Sequence, residues 1–318
     1  AAIVRVTAVD RAEPPIAPGP AGEKLPAGLR EFFEGLPSPR PRHQVASGFA
    51  IDAAGHVATA FYVVAKAATV TVRLPDGRDV AARIVGADEE SGVAVLQVDA
   101  GAGLAPLEWA DAVPRVGDPV FAIGHPYGLG PVVTQGMLGG VLRPADAGDD
   151  ANPVRRELLA TDAVISLGFA GGPLLDAQGR VVGLLDALLQ SGVDRGLTVA
   201  TPGASAREIV RELVAHERVR RARLGVEVAP AAGAQEPAGN DAARAHGVRV
   251  AAVTPDSPAA RAGLQADDVL LRADGEPLAS EAALRRVIAG RAPGASLEIA
   301  FQRDGRERAV VIVLDEAR

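Results

Sequence analysis

Hydrolysing a peptide bond without a cofactor takes a hydroxyl or thiol that attacks, an imidazole that carries its proton, and a carboxylate that steers the imidazole. The 318-residue sequence has no cysteine, which excludes a thiolate nucleophile, disulfides and thiolate metal sites. Ser47, Ser91 and Ser166, and His43, His56 and His125, lie in the first two thirds of the chain, among or beside its β-type runs. The segment Gly168-Phe169-Ala170-Gly171-Gly172-Pro173-Leu174 is a Gly-rich loop, and none of its side chains can attack a carbonyl. A working dyad needs hydroxyl and imidazole about 3 Å apart beside amide donors, a geometry that spacing along the chain does not establish. No two histidines have the i, i+4 spacing of a helical zinc site, and no acidic run follows a calcium-loop pattern, so neither metal nor cofactor is expected. Asp88-Glu89-Glu90 reads as a solvated acidic turn.

The elements that would position these groups are mostly short strands. Ile3–Val9 alternates apolar and polar residues, as a half-buried strand does. From Arg11 to Gln44 the prolines at 14, 15, 18, 20, 26, 37, 39 and 41 break regular structure, leaving a long exposed loop with at most a helical turn at Glu31–Phe33. Between Val45 and about Thr201, β-type runs recur between Gly, Pro and Asp-Gly punctuation. They are Ser47–Ile51, His56–Thr59, Thr69–Leu74, Val80–Ala87, Val93–Val98, Val120–Ile123, Val132–Gly140, Leu158–Thr161, Pro173–Asp176 and Val181–Asp186. So many short strands predict an all-β barrel or sandwich.

Ser205–His216 instead has apolar residues at helical spacing, with Ser205 and Glu208 placed as a capping box. Arg218, Arg220, Arg221 and Arg223 read as a solvated helix end that suits the macrodipole. Beyond Leu224 come a flexible loop at Pro230–Ala245, a strand at Val248–Val253, a short helix at Ser257–Gly263 and strands around Val269–Ala273. A helix at Ser280–Ala289 and a hairpin across Arg303-Asp304-Gly305 complete a small α+β unit.

Composition sets the outer bounds. The length suggests about two domains, and 48% hydrophobic residues allow a sizeable core. A net charge of −7 argues against a nucleic-acid partner. No apolar run approaches the roughly 18 residues of a membrane span. The chain opens at Ala1-Ala2-Ile3-Val4 without a basic and apolar leader, as expected of a chain never exported or already processed.

Several segments, in order, resemble the HtrA/Deg family of trypsin-like serine proteases. Gly168–Leu174 is similar to its Gly-Asn-Ser-Gly-Gly-Pro-Leu loop, Thr161-Asp162-Ala163 to its Thr-Asp-Ala, and Val181-Val182-Gly183-Leu184 to its Val-Val-Gly-Ile strand. Ala122–Gly130 resembles its Ala-Ile-Gly-Asn-Pro-Phe-Gly-Leu-Gly, while Ser47-Gly48-Phe49, Val63-Val64 and Ala94-Val95-Leu96 keep its order and spacing. The C-terminal unit resembles the family's PDZ domain through Arg223-Leu224-Gly225-Val226, Ser257–Leu264 and Asp268-Val269-Leu270.

The resemblance implies a mostly β fold: a double six-stranded barrel over 1–202 with its Pro-rich loop at 11–44, a helical linker at 203–222, and a PDZ domain at 223–318. It places Tyr62 at the family's histidine, Gly92 at its aspartate and Ala170 at its serine. On that alignment the triad is lost, and the expectation is a pseudoprotease that binds protein without cutting it. The amides of Gly168 and Ala170 stand where the family builds its oxyanion hole, with Phe169 bulky enough to plug or flip that loop. Peptide C-termini are expected between Arg223, Leu224, Gly225 and Val226 on one side and Ala283, Leu284 and Val287 on the other. The resemblance further implies a bacterial periplasmic or envelope location with a signal or anchor removed, and a homotrimer or a mixed oligomer with an active paralogue. Two alternatives stand beside this reading: an endopeptidase with a relocated serine, and a chaperone-like holdase.

Overall fold

The computed structural model describes residues 2–10, 43–143, 156–186, 197–230 and 247–317. The alternation at the start of the chain becomes strand β1 (Ile3–Asp10), which buries Val4, Val6 and Ala8 completely because every second side chain faces one way. It joins β2 (His43–Ala50), β3 (His56–Ala60), β4 (Ala67–Arg73), β5 (Asp79–Asp88) and β6 (Val93–Gln97) in a closed barrel of order β1-β2-β3-β6-β5-β4. A second closed barrel, β10-β11-β12-β9-β8-β7, is built from β7 (Pro119–Gly124), β8 (Val132–Leu142), β9 (Leu158–Thr161), β10 (Pro173–Leu175), β11 (Val181–Leu185) and β12 (Thr198–Pro202). The expected double six-stranded barrel is present. Strand β12 is absent from the runs read in the sequence: Thr-Val-Ala-Thr-Pro has no run of apolar residues and ends on a proline.

Among the described residues, two α-helices belong to this part of the chain, α1 (Phe61–Val64) and α2 (Gly203–His216). The Ser205–Glu208 capping box does not form. Strand β12 runs directly into α2, whose N-cap is Pro202 with no side-chain cap. At Gly203 an added Cβ would lie 2.9 Å from the Val181 carbonyl oxygen, so glycine lets the helix begin there, two residues ahead of Ser205. Ala206, Val210 and Leu213 of α2 pack among Phe49, Val93, Val95, Val181 and Leu184. That packing makes the helix part of the barrel unit rather than a linker. The chain divides into Ala1–Val219 and Arg220–Arg318, so the boundary lies inside the expected linker 203–222.

The second unit contains β13 (Ala222–Arg223), β14 (Val226–Pro230), β15 (Val248–Val253), α3 (Pro258–Arg261), β16 (Val269–Ala273) and β17 (Glu276–Pro277). It continues with α4 (Glu281–Ala289), β18 (Ser296–Arg303), β19 (Arg306–Val313) and β20 (Asp315–Glu316). The main sheet has the order β14-β15-β16-β18-β19, with β17 beside β16, and β13 pairs with β20. Ser257 and Ser280 cap α3 and α4, accepting from the N–H groups of Ala260 and Ala283 at 3.2 Å each. The core gathers Leu224, Val250, Leu270, Leu284, Leu297, Ile299 and Ile312. Glu31–Phe33, and the loops at Arg11–Gln44 and Pro230–Ala245 apart from His43, Gln44 and Pro230, lie outside the described residues.

Candidate functional site

Strand pairing brings Tyr62 and Gly92 together. Ala60 on β3 faces Val93 on β6, and the next residue, Phe61, donates its N–H to the Gly92 carbonyl at 2.8 Å. Helix α1 then sends Val63 and Val64 into the first barrel and leaves Tyr62 37% exposed. Gly92 adopts φ +71°, a left-handed conformation that glycine accepts readily. A Cβ there would lie 2.7 Å from Nη2 of Arg156 and 3.2 Å from Oδ2 of Asp186. The Arg156 guanidinium is pinned from two sides. Nη1 donates to the Glu90 carbonyl at 2.7 Å, and Nη2 pairs with the Asp186 carboxylate. Desolvation first, then the charge of Asp186, pushes the Tyr62 phenol up to about 12, so it stays protonated at neutral pH and is no general base. Arg156 and Asp186 were not singled out in the sequence. Residues 90, 92, 156 and 186 meet only through the barrel topology, and no local spacing signals it.

The Gly-rich loop is anchored peptide by peptide. Ser47 N–H donates to the Ala170 carbonyl (2.9 Å), Gly171 N–H to Leu185 (2.8 Å), Gly172 N–H to Phe169 (2.9 Å) and Tyr127 N–H to Leu167 (2.8 Å). In a trans peptide the N–H points opposite the C=O. Anchoring the Leu167 and Phe169 carbonyls therefore turns the Gly168 and Ala170 N–H groups away from the partners of those carbonyls. At Gly171 (φ +81°) an added Cβ would sit 2.4 Å from the Ser47 carbonyl oxygen, so only glycine fits the loop this closely against β2. Phe169 does not plug the loop. Its ring is buried in the second barrel with Val120, Ala122, Leu138 and Leu174, and a Cβ at Gly124 would come within 2.7 Å of its Cγ.

One hydroxyl does touch an imidazole. Ser47 Oγ lies 3.3 Å from His125 Nδ1, but it donates its proton to the Gly168 carbonyl (2.7 Å) and accepts the His125 N–H (2.8 Å). Ser47 is completely buried, and its proton is directed at a carbonyl rather than at the ring. Burial first, then the charge of Arg5, pulls His125 down to about 4, which weakens it as a base. The Asp–His contact lies elsewhere: Asp52 Oδ2 is 2.6 Å from His56 Nδ1. His56 is four residues along β3 from the position opposite Ser47, roughly 13 Å at strand rise. Ser91 closes the turn at Asp88, its N–H bound to Asp88 Oδ2 at 2.9 Å. Ser166 is half-buried and its carbonyl accepts from Phe169 N–H, while His43 is exposed on β2. Among the described residues no group of three or more metal-ligating side chains is assembled.

In the second unit, β14 is an edge strand of the main sheet. The turn leading into it is fixed by its carbonyls: Ala259 N–H donates to Leu224 (3.0 Å) and Thr254 N–H to Gly225 (2.9 Å). The Gly225 and Val226 N–H groups therefore point the opposite way, and that of Val226 points away from β15 toward the edge that no described strand pairs with. Gly225 has φ +84°, and a Cβ on it would collide with the Ser257 side chain at 2.2 Å. Leu224 and Leu284 are core residues, whereas Val226, Ala283 and Val287 are only half-buried at its margin. The residues expected to line a groove thus divide into a supporting pair and an accessible trio. Arg223 is half-buried on β13 opposite Asp315.

Residues 46–184 match the family model of the trypsin-like peptidase domain, and residues 222–314 that of the PDZ domain. The class is thus a trypsin-like peptidase fold followed by a PDZ domain. Among relatives, a probable periplasmic serine endoprotease DegP-like of Halomonas elongata is 35% identical over 93% of this chain and 64% of its own length. The periplasmic pH-dependent serine endoprotease DegQ of Escherichia coli is 33% identical over 92% of this chain and 65% of its own. The solved serine endoprotease from Yersinia pestis superposes with a TM-score of 0.71 at 26% identity, covering 99% of this chain and 94% of that one. The HtrA-type protease AlgW with decapeptide gives 0.74 at 27%, covering 99% and 95%. The chain belongs to the HtrA/DegP family, with a trypsin-like protease domain and one PDZ domain. It spans just under two thirds of the length of these two sequence relatives. Both are named as periplasmic proteins, and no described helix here is long and apolar enough to cross a membrane.

Proposed function

We propose that this chain is a non-hydrolysing HtrA/DegP-family protein of the bacterial periplasm, which captures polypeptide C-termini at its PDZ unit. The observation that carries the reading is Ala170. It occupies the centre of a loop anchored by backbone hydrogen bonds, and it offers a methyl group where attack on a carbonyl needs a hydroxyl. Tyr62 and Gly92 supply neither a base nor a carboxylate. The alternative of a relocated nucleophile has Ser47 and His125 as its best pair, and that serine is sealed and already hydrogen-bonded on both sides. The binding half of the proposal is supported by the edge of β14 that no described strand pairs with, which can pair with an extended peptide while the turn amides receive its terminal carboxylate. Ala283 and Val287 on α4, with Val226, would contact the apolar terminal side chain. Assembly into trimers, or with an active relative, belongs to the same proposal and is read by sedimentation.

Two measurements test it together. The purified chain should leave casein intact and should not be labelled by a fluorophosphonate, which reacts only with an activated serine. Labelling that disappears with Ser47→Ala or Ser166→Ala would establish the relocated enzyme instead. For the groove, a panel of fluorescent peptides with apolar C-termini should bind, and amidating the terminal carboxylate should weaken binding about tenfold or more. Val287→Arg should abolish binding without lowering the melting temperature. Equal binding of free and amidated peptides would exclude carboxylate capture and favour a holdase that reads apolar surface alone.

A further inference from the structure

Resting on the non-hydrolytic reading of the barrel site, we propose that Arg156 and Asp186 form a clamp across the two barrels, whose guanidinium fills the space that a side chain at position 92 would need. Glu90 and Gly92 belong to the turn between β5 and β6 of the first barrel. Arg156 precedes β9 and Asp186 follows β11, both in the second. One nitrogen of the guanidinium binds the Glu90 carbonyl and another binds the Asp186 carboxylate, so a single side chain ties the turn of one barrel to the strand end of the other. The planar fork makes this possible, whereas a lysine ammonium is a point charge on a flexible stem. The pair is well shielded, with 20% of the arginine and 10% of the aspartate side chain exposed.

The clamp has two consequences at the site. It places a cation where the resemblance puts an aspartate, so a carboxylate introduced at position 92 would pair with Arg156 instead of steering a ring at position 62. It also sets Asp186 beside Tyr62, whose phenol feels that charge. Arg156 acts here as a positioning residue. It fixes the turn and the wall formed by Tyr62, and the proposal gives it no contact with a ligand.

A double-mutant cycle tests the clamp. Gly92→Ala should lower the melting temperature of the barrel unit by about 6 °C, partly from the left-handed backbone and partly from displacing the guanidinium. With Arg156→Ala already present, the same change should cost about 3 °C, because only the backbone part remains. Equal losses in both backgrounds overturn the proposal. If Gly92→Ala does not fold, a spectroscopic test decides. Tyr62 and Tyr127 are the only tyrosines, so Tyr127→Phe isolates the Tyr62 absorbance titration, with a midpoint of about 12. Arg156→Lys keeps the charge but cannot hold both partners, so the burial of Tyr62 and the compensation of Asp186 both change and the midpoint should shift by about one pH unit. An unchanged midpoint overturns the clamp. Fluorophosphonate labelling of the unmodified protein would instead defeat the non-hydrolytic reading and leave the result of the cycle untouched.

Discussion

His125 shows how burial decides what a side chain can do. Its folded pKa of about 4 lies below the ordinary 6.5 because the ring is desolvated and Arg5 is positive. Between those two values the unfolded chain binds a proton that the folded chain refuses. The contribution of His125 to stability is therefore complete above pH 6.5 and is lost as pH falls toward 4. Urea titrations at pH 7 and pH 4 should reveal this as a loss of order 3 kcal/mol, over and above what the carboxylates contribute. His125→Gln, which stays neutral at both values, should show an acid loss smaller by about that amount. An identical acid loss in the variant would mean that the burial of His125 is not what makes stability sensitive to acid. The same burial bears on catalysis: a base with so low a pKa, beside a hydroxyl already donating to Gly168, is poorly suited to moving protons at neutral pH.

At the scale of elements, side-chain caps separate what the sequence signals from what the fold uses. Ser205 and Glu208 have the spacing of a capping box, yet the helix starts at Gly203, so Ser205→Ala should change stability by less than about 0.5 kcal/mol. Ser257 and Ser280 do accept from the first turns of α3 and α4, and replacing either by alanine should cost about 1 kcal/mol. Thermal unfolding of the three variants checks the contrast. Only Ser205 is read as a cap from the sequence; at Ser257 and Ser280 the sequence places the helix starts without assigning the serine that role. What decides at Ser205 is non-local: Gly203 packs against the backbone of β11. The same distinction holds for strands. β1 was legible because one face is buried and one is not, and β11 because Val181–Leu185 is a short continuous apolar run; β12 has neither signal, since two threonines and a proline leave it only Val199 and Ala200 as apolar residues. The family motifs were legible as contiguous runs such as residues 122–130 and 168–174. The Arg156–Asp186 pair was not, since it joins three segments far apart in the chain.

At the scale of the molecule, the sequence boundary and the structural one differ by the length of a helix, and the difference has a measurable result. Leu213 of α2 is fully buried among residues of the barrels, while Leu284 of α4 is buried in the core of the second unit. The two cores share no residue, so each unit should unfold as its own cooperative block. Leu213→Ala should remove about 2–5 kcal/mol from the barrel unit and leave the other transition in place, and Leu284→Ala should do the reverse. Calorimetry of the whole chain, with peptide added to mark the PDZ transition, separates them: a bound peptide raises only the transition of the unit that binds it. A fragment of residues 220–318 should then fold alone and bind the same peptide within about threefold of the whole chain. If Leu213→Ala lowers both transitions equally, the helix supports both units and returns to the role of a shared linker. If the fragment folds but loses the peptide, the groove needs groups from outside residues 220–318, and the assignment of Val226, Ala283 and Val287 as its accessible lining is incomplete.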